Sequence, residues 1–562
     1  MLTALYFLSV KKMLKYSLYR HLAALTLIFL LSYPAVRALL GNKSFPVHDD
    51  TQQARIFVMS QELKNHQFPV RLVADLGYGF GYPIFNFYAP LPYYLGSLYY
   101  IGGFDLFTST NLMYLSAFLL AGVSMYFLAF RLNGRYAGIA TAVLYLYAPY
   151  HALNLYVRGA AGELYAYAFL PLYLLGIYLL IKRDDKFSQK AVILIITGLS
   201  GIILSHNITA LITLFFSLLI LPLWFRERQS FFRYLYSMAG AIGLSSFFII
   251  PAIWENGFTS VSQLSKGSNS YNLHFVYLSQ LWDSAWGFAG SAPGLADGMS
   301  FKIGKWHVVL STLAILNLLR LYLNKNFKAF QSVFYFSALF LLFISILMTQ
   351  PVSSPLYRLL PGFDFIQYPW RFLNFILLFS VVLISSLFSG SKKYFKRVLA
   401  AVVIIFSLFL YPKYFQPQFV SEISEKGYIR KENLRFTVSK ISDEYLPLNF
   451  PRPQNFFQTY RTAIEATVIK ETTIHKIYEV RGVAREIIAS MAYFPGWQVK
   501  INGRIIPVDV RSGRIVFKMP AGVNQVEFTF SDTPVRYLSN IVSILSLGLI
   551  LYLTWPRKHP LK

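Results

Sequence analysis

His48-Asp49-Asp50-Thr51-Gln52-Gln53-Ala54-Arg55 follows closely on the first long apolar stretch of the chain, which runs from about His21 to Leu40. Two adjacent carboxylates are costly to place at a membrane edge, so their presence there asks for a reason. When the remaining apolar segments are threaded through a bilayer, the polar clusters able to do chemistry fall on the same side as Asp49 and Asp50. A membrane protein with one active face is expected to read this way.

The composition supports the membrane reading. The 562 residues are 55% hydrophobic and 18% aromatic, with a mean hydropathy of +0.47. Soluble domains rarely reach these values, whereas polytopic membrane proteins do. There is no cysteine, which excludes disulfides, zinc–thiolate sites and thiol catalysis. The net charge of +27 is unevenly spread. Seven polar segments (the N-terminus to Arg20, Arg131–Arg135, Lys182–Lys190, Arg226–Arg233, Arg320–Lys328, Lys392–Arg397 and Arg557–Lys562) hold 23 of the 52 Lys and Arg but three of the 25 acids, and so carry +20 of the excess. That is the signature of cytoplasmic loops, and it argues against nucleic acid as a partner.

Twelve spans follow, near His21–Leu40, Asn111–Phe130, Tyr136–Tyr150, Gly162–Ile181, Ala191–Ser205, Ile208–Phe225, Tyr234–Trp254, Trp306–Leu323, Val333–Met348, Phe372–Ser389, Leu399–Tyr411 and Tyr537–Trp555. The first reads as an uncleaved anchor, because its basic n-region is long and no small-x-small site follows. Leu91–Gly103 is too short and too rich in Pro and Gly at its ends to count. Left as a helix lying in the interface, it keeps every later basic loop on the cytoplasmic side. Both termini are then cytoplasmic, and six regions lie outside: 41–110, 151–161, 206–207, 255–305, 349–371 and 412–535. The expected organisation is a multi-span domain over 1–411, a second domain over 412–535, and a last span with a basic tail over 536–562. Residues 412–535 differ in kind, with short alternating apolar runs and the turn pairs Asn502-Gly503 and Ser512-Gly513. They read as an antiparallel β-sandwich.

Several residues on the expected outer face are able to do chemistry. Asp49 or Asp50 can take a proton from a hydroxyl or bind a divalent cation; equally, the pair can cap the helix continuing through Arg55. Arg55, Arg71, Arg158 and Arg371 are candidate phosphate ligands. Arg158 and Glu163 sit at a span's mouth, as a structural ion pair or as an anion site with a second acid. His48, Gln52, His206 and Asn207 are candidate polar contacts, His206 being equally readable as an interfacial hydrogen-bonder. Trp282 and Trp286 are able to stack on sugar rings or to anchor the loop 255–305 in headgroups. The run Gly77-Tyr78-Gly79-Phe80-Gly81-Tyr82-Pro83 has no phosphate-loop pattern and reads as a tight irregular turn with aromatic anchors. No metal-ligand spacing is evident, so any metal beyond a divalent cation on the aspartates is unspecified, and no other cofactor is implied.

His48-Asp49-Asp50-x-Gln52-x-x-Arg55, Phe68-Pro69-Val70-Arg71, Gly79-Phe80-Gly81-Tyr82-Pro83-Ile84-Phe85-Asn86-Phe87-Tyr88-x-Pro90-Leu91, Leu155-Tyr156-Val157-Arg158-Gly159, Ser205-His206-Asn207-Ile208-Thr209-Ala210, Ser300-Phe301-Lys302-Ile303-Gly304, Gln367-Tyr368-Pro369-Trp370-Arg371 and Glu444-Tyr445-Leu446-Pro447 together resemble the bacterial and archaeal membrane proteins labelled 6-pyruvoyl-tetrahydropterin synthase-related. Those are close to the YfhO-like proteins and share the topology of GT-C glycosyltransferases. The three-His zinc site of true pterin synthases has no counterpart here. The resemblance implies an acid in the first outer loop, here Asp49 or Asp50, and transfer of a sugar from a polyprenyl-phosphate donor outside the cytoplasmic membrane. The acceptor would be an envelope glycan, a lipid or a protein. A non-enzymatic transporter of lipid-linked saccharides, or an envelope-assembly scaffold, would use the same face to bind without reacting. The near absence of charge at the span centres favours the enzyme.

The charge pattern makes the topology testable. Reporter fusions at Asn133, Asp184 and Lys325 are expected to report cytoplasm, and one at Gly496 the outside. A fusion after Gly103 that reported cytoplasm would invert the face assignment.

Overall fold

Long apolar runs fold as helices because a bilayer leaves no partner for an unpaired backbone amide. A computed structural model describes residues 2–182, 185–224, 228–263, 267–325, 329–460 and 466–554. The basic tail Arg557–Lys562 and the loop residues Arg183, Asp184, Arg226, Glu227 and Lys328 lie outside the described residues. Among those described, nine helices are long and apolar enough to cross a membrane: Leu18–Leu40, Leu106–Asn133, Ala161–Lys182, Ser188–Ser205, Lys305–Leu323, Ala329–Thr349, Pro369–Phe388, Lys393–Tyr414 and Pro534–Tyr552.

The other three expected spans differ, each for a local reason. Tyr136–Tyr150 is a helix only over Arg135–Leu146, because the extended Ala148 before Pro149 stops it. The chain continues through Pro149–Ala152 and a π-turn at Leu153–Val157. Ile208–Phe225 becomes the shorter apolar helix Asn207–Pro222. Tyr234–Trp254 is two helices, Arg228–Leu244 and Ser246–Trp254, bent by 76°. At this break Ser246 Oγ lies 2.8 Å from the carbonyls of Gly243 and Ser539, and Ser543 Oγ accepts from the Phe247 amide at 2.9 Å. A kink at small and hydroxyl residues is thus satisfied from the neighbouring last helix. Length and composition give nine crossings, or ten with the bent pair, against twelve expected.

The regions expected to share a face do meet. Region 41–110 bonds to 151–161 (His48 amide to Val157 carbonyl, 2.9 Å), to Asn207 (Nδ2 to Phe87 carbonyl, 3.0 Å) and to Glu255 (from Asn86 Nδ2, 2.8 Å). At the opposite end Asn133 Nδ2 donates to Tyr335 at 2.6 Å, and Arg397 Nε donates to Tyr136 at 2.7 Å. Leu91–Ile101 is a helix, as expected. It packs on Gln52–Lys64 through Ser97, whose hydroxyl bonds the Ile56 carbonyl, while Leu98 and Ile101 point away, exposed.

The strands are β1 (Ala466–Glu471), β2 (His475–Gly482), β3 (Arg485–Ala492), β4 (Trp497–Ile501), β5 (Arg504–Ile506), β6 (Asp509–Arg511), β7 (Arg514–Met519) and β8 (Gly522–Phe530). They form antiparallel sheets ordered β1-β2-β8-β4-β5 and β3-β7-β6. Asn502-Gly503 and Ser512-Gly513 make the β4–β5 and β6–β7 turns, with φ of 48° and 81°, and 49° and 69°. Positive φ at both centres matches the right-handed strand twist. The rings of Phe517 and Phe528 meet across the two sheets at 5.7 Å.

Residues 412–460, expected to belong to the β-sandwich, are instead short helices and coil laid over the other loops. Fully buried Phe415 packs on Phe118, Tyr147 and Tyr156 of the helical part, and Glu425 accepts from Tyr100. The glycine-aromatic run is the tight turn its sequence indicates. Gly77, Tyr78, Gly79 and Gly81 all have positive φ, and Phe80 packs on Phe450 and accepts from the Ala492 amide.

A buried network joins the two parts. Arg536 Nε and Nη2 each lie 2.9 Å from Glu255 Oε2, and Glu255 also accepts from Thr533 and Asn86, both at 2.8 Å. Arg71 extends the network to Asp532, Asn86, Asn540 and the Phe247 carbonyl. Arg536 and Glu255 are 1% and 3% exposed, so losing one partner strands the other in low dielectric. Arg536→Ala should therefore destabilise the protein by about 3–5 kcal/mol, read as a lowered Tm of the purified protein. Adding Glu255→Gln to that variant should recover part of the loss.

Candidate functional site

The aspartates are held by backbone, not by their side chains. The His48 and Asp49 amides donate to the carbonyls of Val157 and Arg158 at 2.9 and 3.0 Å, and His48 Nε2 lies 2.9 Å from the Phe288 carbonyl. Three loops are thereby tied at one point. Thr51, not an aspartate, is the N-cap of Gln52–Lys64, and it makes no side-chain capping bond. The capping alternative for Asp49 and Asp50 thus has no hydrogen bond behind it. Both side chains are half-buried, and neither makes a hydrogen bond or ion pair with any described residue. Burial raises the Asp50 carboxyl above its usual range.

Beside them lies a charged cluster built on Glu163, in the first turn of Ala161–Lys182. Arg158 Nη2 donates to Glu163 Oε1 at 2.7 Å, and Asn374 Nδ2 donates to Oε2 at 3.2 Å. Arg371 Nε is 3.6 Å from Oε1, and His206 Nε2 is 4.0 Å from it. Arg158 also donates to Asn154 at 2.6 Å and lies 4.2 Å from the Trp370 ring centroid. Burial alone would lower the Arg158 pKa, but Glu163, with Tyr150 and Asp49, holds it above its ordinary value. Arg371 Nη1 donates to the Ile366 carbonyl at 2.8 Å, while its buried Nε has no hydrogen-bond partner. Burial lowers the His206 pKa to about 3, against the pull of Glu163, and its Nδ1 accepts from the Thr209 amide at 3.2 Å.

Of the residues singled out in the sequence, His48, Asp49, Asp50, Arg158, Glu163, His206 and Arg371 come together. Four do not join them. Arg55 donates to Tyr93 and Ser442 and stacks 4.2 Å over Tyr88. Gln52 bonds Tyr93 and the Gly159 carbonyl. Arg71 has four protein oxygens around its guanidinium in the network at Glu255, so the expectation of a ligand-binding Arg71 is corrected to a structural one. Asn207 holds the Phe87 carbonyl. Trp286 packs on Tyr414 at 4.7 Å, whereas Trp282 is half-exposed with Lys305 near its ring. Sequence reasoning gave no role to Asn154, Trp370 or Asn374. A signal for Asn374 existed: it is the lone amide near the start of the apolar run Leu373–Ile384. Among the described residues no group of three or more His, Asp or Glu converges as metal ligands, so a divalent cation would rest on Asp49 and Asp50.

Residues 85–417 match the model of the 6-pyruvoyl-tetrahydropterin synthase related domain, described as a membrane protein, and the chain belongs to that family. An uncharacterized protein of Lactococcus lactis subsp. cremoris (strain MG1363) is 27% identical over 287 residues, covering 48% of this chain and 45% of that protein. The chain thus matches less than half the length of this relative. Similar solved structures include the arabinofuranosyltransferase AftD from mycobacteria, at 13% identity and a TM-score of 0.45 over 72% of this chain and 27% of that one. Another is the oligosaccharyltransferase of Archaeoglobus fulgidus, at 12% identity and a TM-score of 0.43 over 79% of this chain and 62% of that one.

The lowered His206 pKa fixes a sign. Below the ordinary value of 6.5 the unfolded chain binds a proton that folded His206 refuses down to about 3, so stability falls as pH drops through that window. His206→Gln should remove this contribution, giving a shallower decline of Tm from pH 6.5 to pH 4 than wild type shows.

Proposed function

We propose that the protein is a membrane glycosyltransferase that moves a sugar from a polyprenyl-phosphate donor to an envelope glycan, lipid or protein acceptor on the outer face of the cytoplasmic membrane. The observation that carries this reading is the pair of half-buried, unpartnered carboxylates at Asp49 and Asp50 beside the Arg158–Glu163–Arg371 cluster. A carboxylate with no donor of its own keeps its basicity for an incoming hydroxyl.

In this reading one aspartate takes the proton of the acceptor hydroxyl. The freed oxygen attacks the anomeric carbon from the side opposite the lipid phosphate. As the new C–O bond forms, the bond to the phosphate breaks, the phosphate leaves with the electron pair, and the anomeric configuration inverts. The Arg371 and Arg158 guanidiniums, both beside Glu163, would stabilise the leaving charge. Glu163 would hold both guanidiniums in place, and neutral His206 would sit beside them without adding charge. No metal is required by this scheme, though the aspartates are able to take one. Of the competing readings, a saccharide transporter predicts ionisable groups near the middle of the spans. Arg131, Glu163, Lys305, Arg320, Arg371 and Arg536 all stand in the first or last turns of their helices, which favours catalysis over transport.

Asp→Asn keeps size and removes basicity. Transfer from a polyprenyl-phosphate sugar, measured with purified detergent-solubilised protein, should fall roughly 10²–10⁴-fold in Asp49→Asn or Asp50→Asn, with Tm unchanged. Full activity in both variants would remove the aspartates from the mechanism. No transfer by wild type under any donor would favour the binding-only reading.

A further inference from the structure

A cavity of about 490 Å³ lies away from the aspartates, between the two sheets and the loop after Gln52–Lys64. That volume falls in the range of small-molecule sites, about 300–1,000 Å³. It opens where the β-sheets are not closed against each other. On one side is β3, an edge strand whose pairing with β7 is interrupted between Ile488 and Ala492. On the other are β1 and β2. Its floor is buried and apolar: Val480, Ile487, Met491, Phe517, Met519 and Phe528. Its rim is polar, with Asp75, Lys431, Arg435, Glu471 and Lys476.

We infer that this cavity binds an amphiphile made of one hydrocarbon chain and an anionic head group. The floor decides the chain. A sugar placed there would bury hydroxyls against aliphatic and aromatic carbon with no partner, whereas a hydrocarbon gains from each methylene removed from water. The rim decides the head. Arg435 is paired with Asp75 at 2.8 Å and Lys476 with Glu471 at 3.4 Å. Lys431 has no ion pair among the described residues, leaving one uncompensated cation for a carboxylate or phosphate. A free fatty acid and a prenyl-phosphate-linked substrate both carry this chemistry.

The cavity is separate from the proposed transfer site. Gln52–Lys64 starts beside Asp50 and ends at Asn65 on the cavity wall, and its 13 residues span roughly 20 Å. Glu62, in its last turn, accepts a hydrogen bond from Thr473 of the cavity lining. The inference therefore stands or falls apart from glycosyl transfer.

Photo-cross-linking of the full chain in lipid nanodiscs with a diazirine-bearing palmitate, followed by mass spectrometric mapping, tests it. Label is expected in peptides covering 487–491 and 517–528, in addition to the membrane helices. Ala489→Trp, which fills the floor, should cut that label at least ~10-fold, the equivalent of losing about two buried methylenes. Lys431→Glu, a surface change that leaves the fold alone, should cut it as well, and the uncharged methyl ester should label less than the acid. Unlabelled palmitate and unlabelled prenyl phosphate, added as competitors, distinguish the two sources. Label confined to the membrane helices would overturn the site, and label unchanged in Lys431→Glu would overturn the anionic head. A Tm control accompanies Ala489→Trp; if that variant is unfolded, Lys431→Glu and the ester comparison decide.

Discussion

A carboxylate buried at the end of an apolar helix must be neutralised by its neighbours, and Glu163 imposes that constraint on the whole functional face. Its two oxygens draw in Arg158 and Asn374 by hydrogen bonds and Arg371 and His206 at longer range. These residues come from three places in the chain: the π-turn after a broken helix, the turn between two helices, and the start of Pro369–Phe388, which carries both Arg371 and Asn374. Removing the acid would leave two guanidiniums facing each other in low dielectric. Because Arg158 also presents its carbonyl to the Asp49 amide, the same constraint fixes where the aspartates stand.

A second buried acid, Glu255, does the corresponding work for the β-sheets. Arg536 and Thr533, at the start of the last helix, and Asn86, from the first loop, all converge on it. Arg71 couples that point to Asp532, just after β8. The sheets are thus docked by charge and amide contacts near the ends of helices. The glycine-aromatic turn adds a packed contact through Phe80, Phe450 and Arg514. A joint of this kind sets the orientation of the β-sheets relative to the aspartate face.

Much of this was legible in the sequence because it follows from local rules. Basic loops mark one side of a membrane, and the regions this rule placed together do contact one another. The pairs Asn502-Gly503 and Ser512-Gly513 mark the β4–β5 and β6–β7 hairpins, whereas β3 (Arg485–Ala492) has no such mark and the run Ile505–Val510 divides between β5 and β6. What the sequence concealed depends on partners distant in the chain. The break at Ser245 is supported by Ser543, nearly three hundred positions away, and no local pattern announces it. Arg71 and Arg158 look alike as arginines near membrane edges. Only the fold shows that one is enclosed by four protein oxygens and that the other pairs with Glu163 while its carbonyl holds the Asp49 amide. Residues 412–460 lie between the same two spans as the strands and are expected with them, yet Phe415, Leu434 and Leu446 are buried in contacts supplied by the tertiary fold.

The functional reading rests on a contrast among the acids. Glu62 accepts from Thr473 and Gln67, Glu163 from Arg158 and Asn374, Glu255 from Arg536, Thr533 and Asn86, and Glu444 from Ser442. Each of these buried or half-buried carboxylates has protein donors that stabilise its charge. Asp49 and Asp50 are half-buried yet have none among the described residues, although Arg158 stands close enough for the Asp49 charge to act on it. A fold that gives donors to its other enclosed acids but leaves this pair open carries a desolvation cost there with no structural return. Such a cost is understandable where the missing donor is a substrate hydroxyl, because a pre-formed protein donor would compete for the lone pairs a general base must offer.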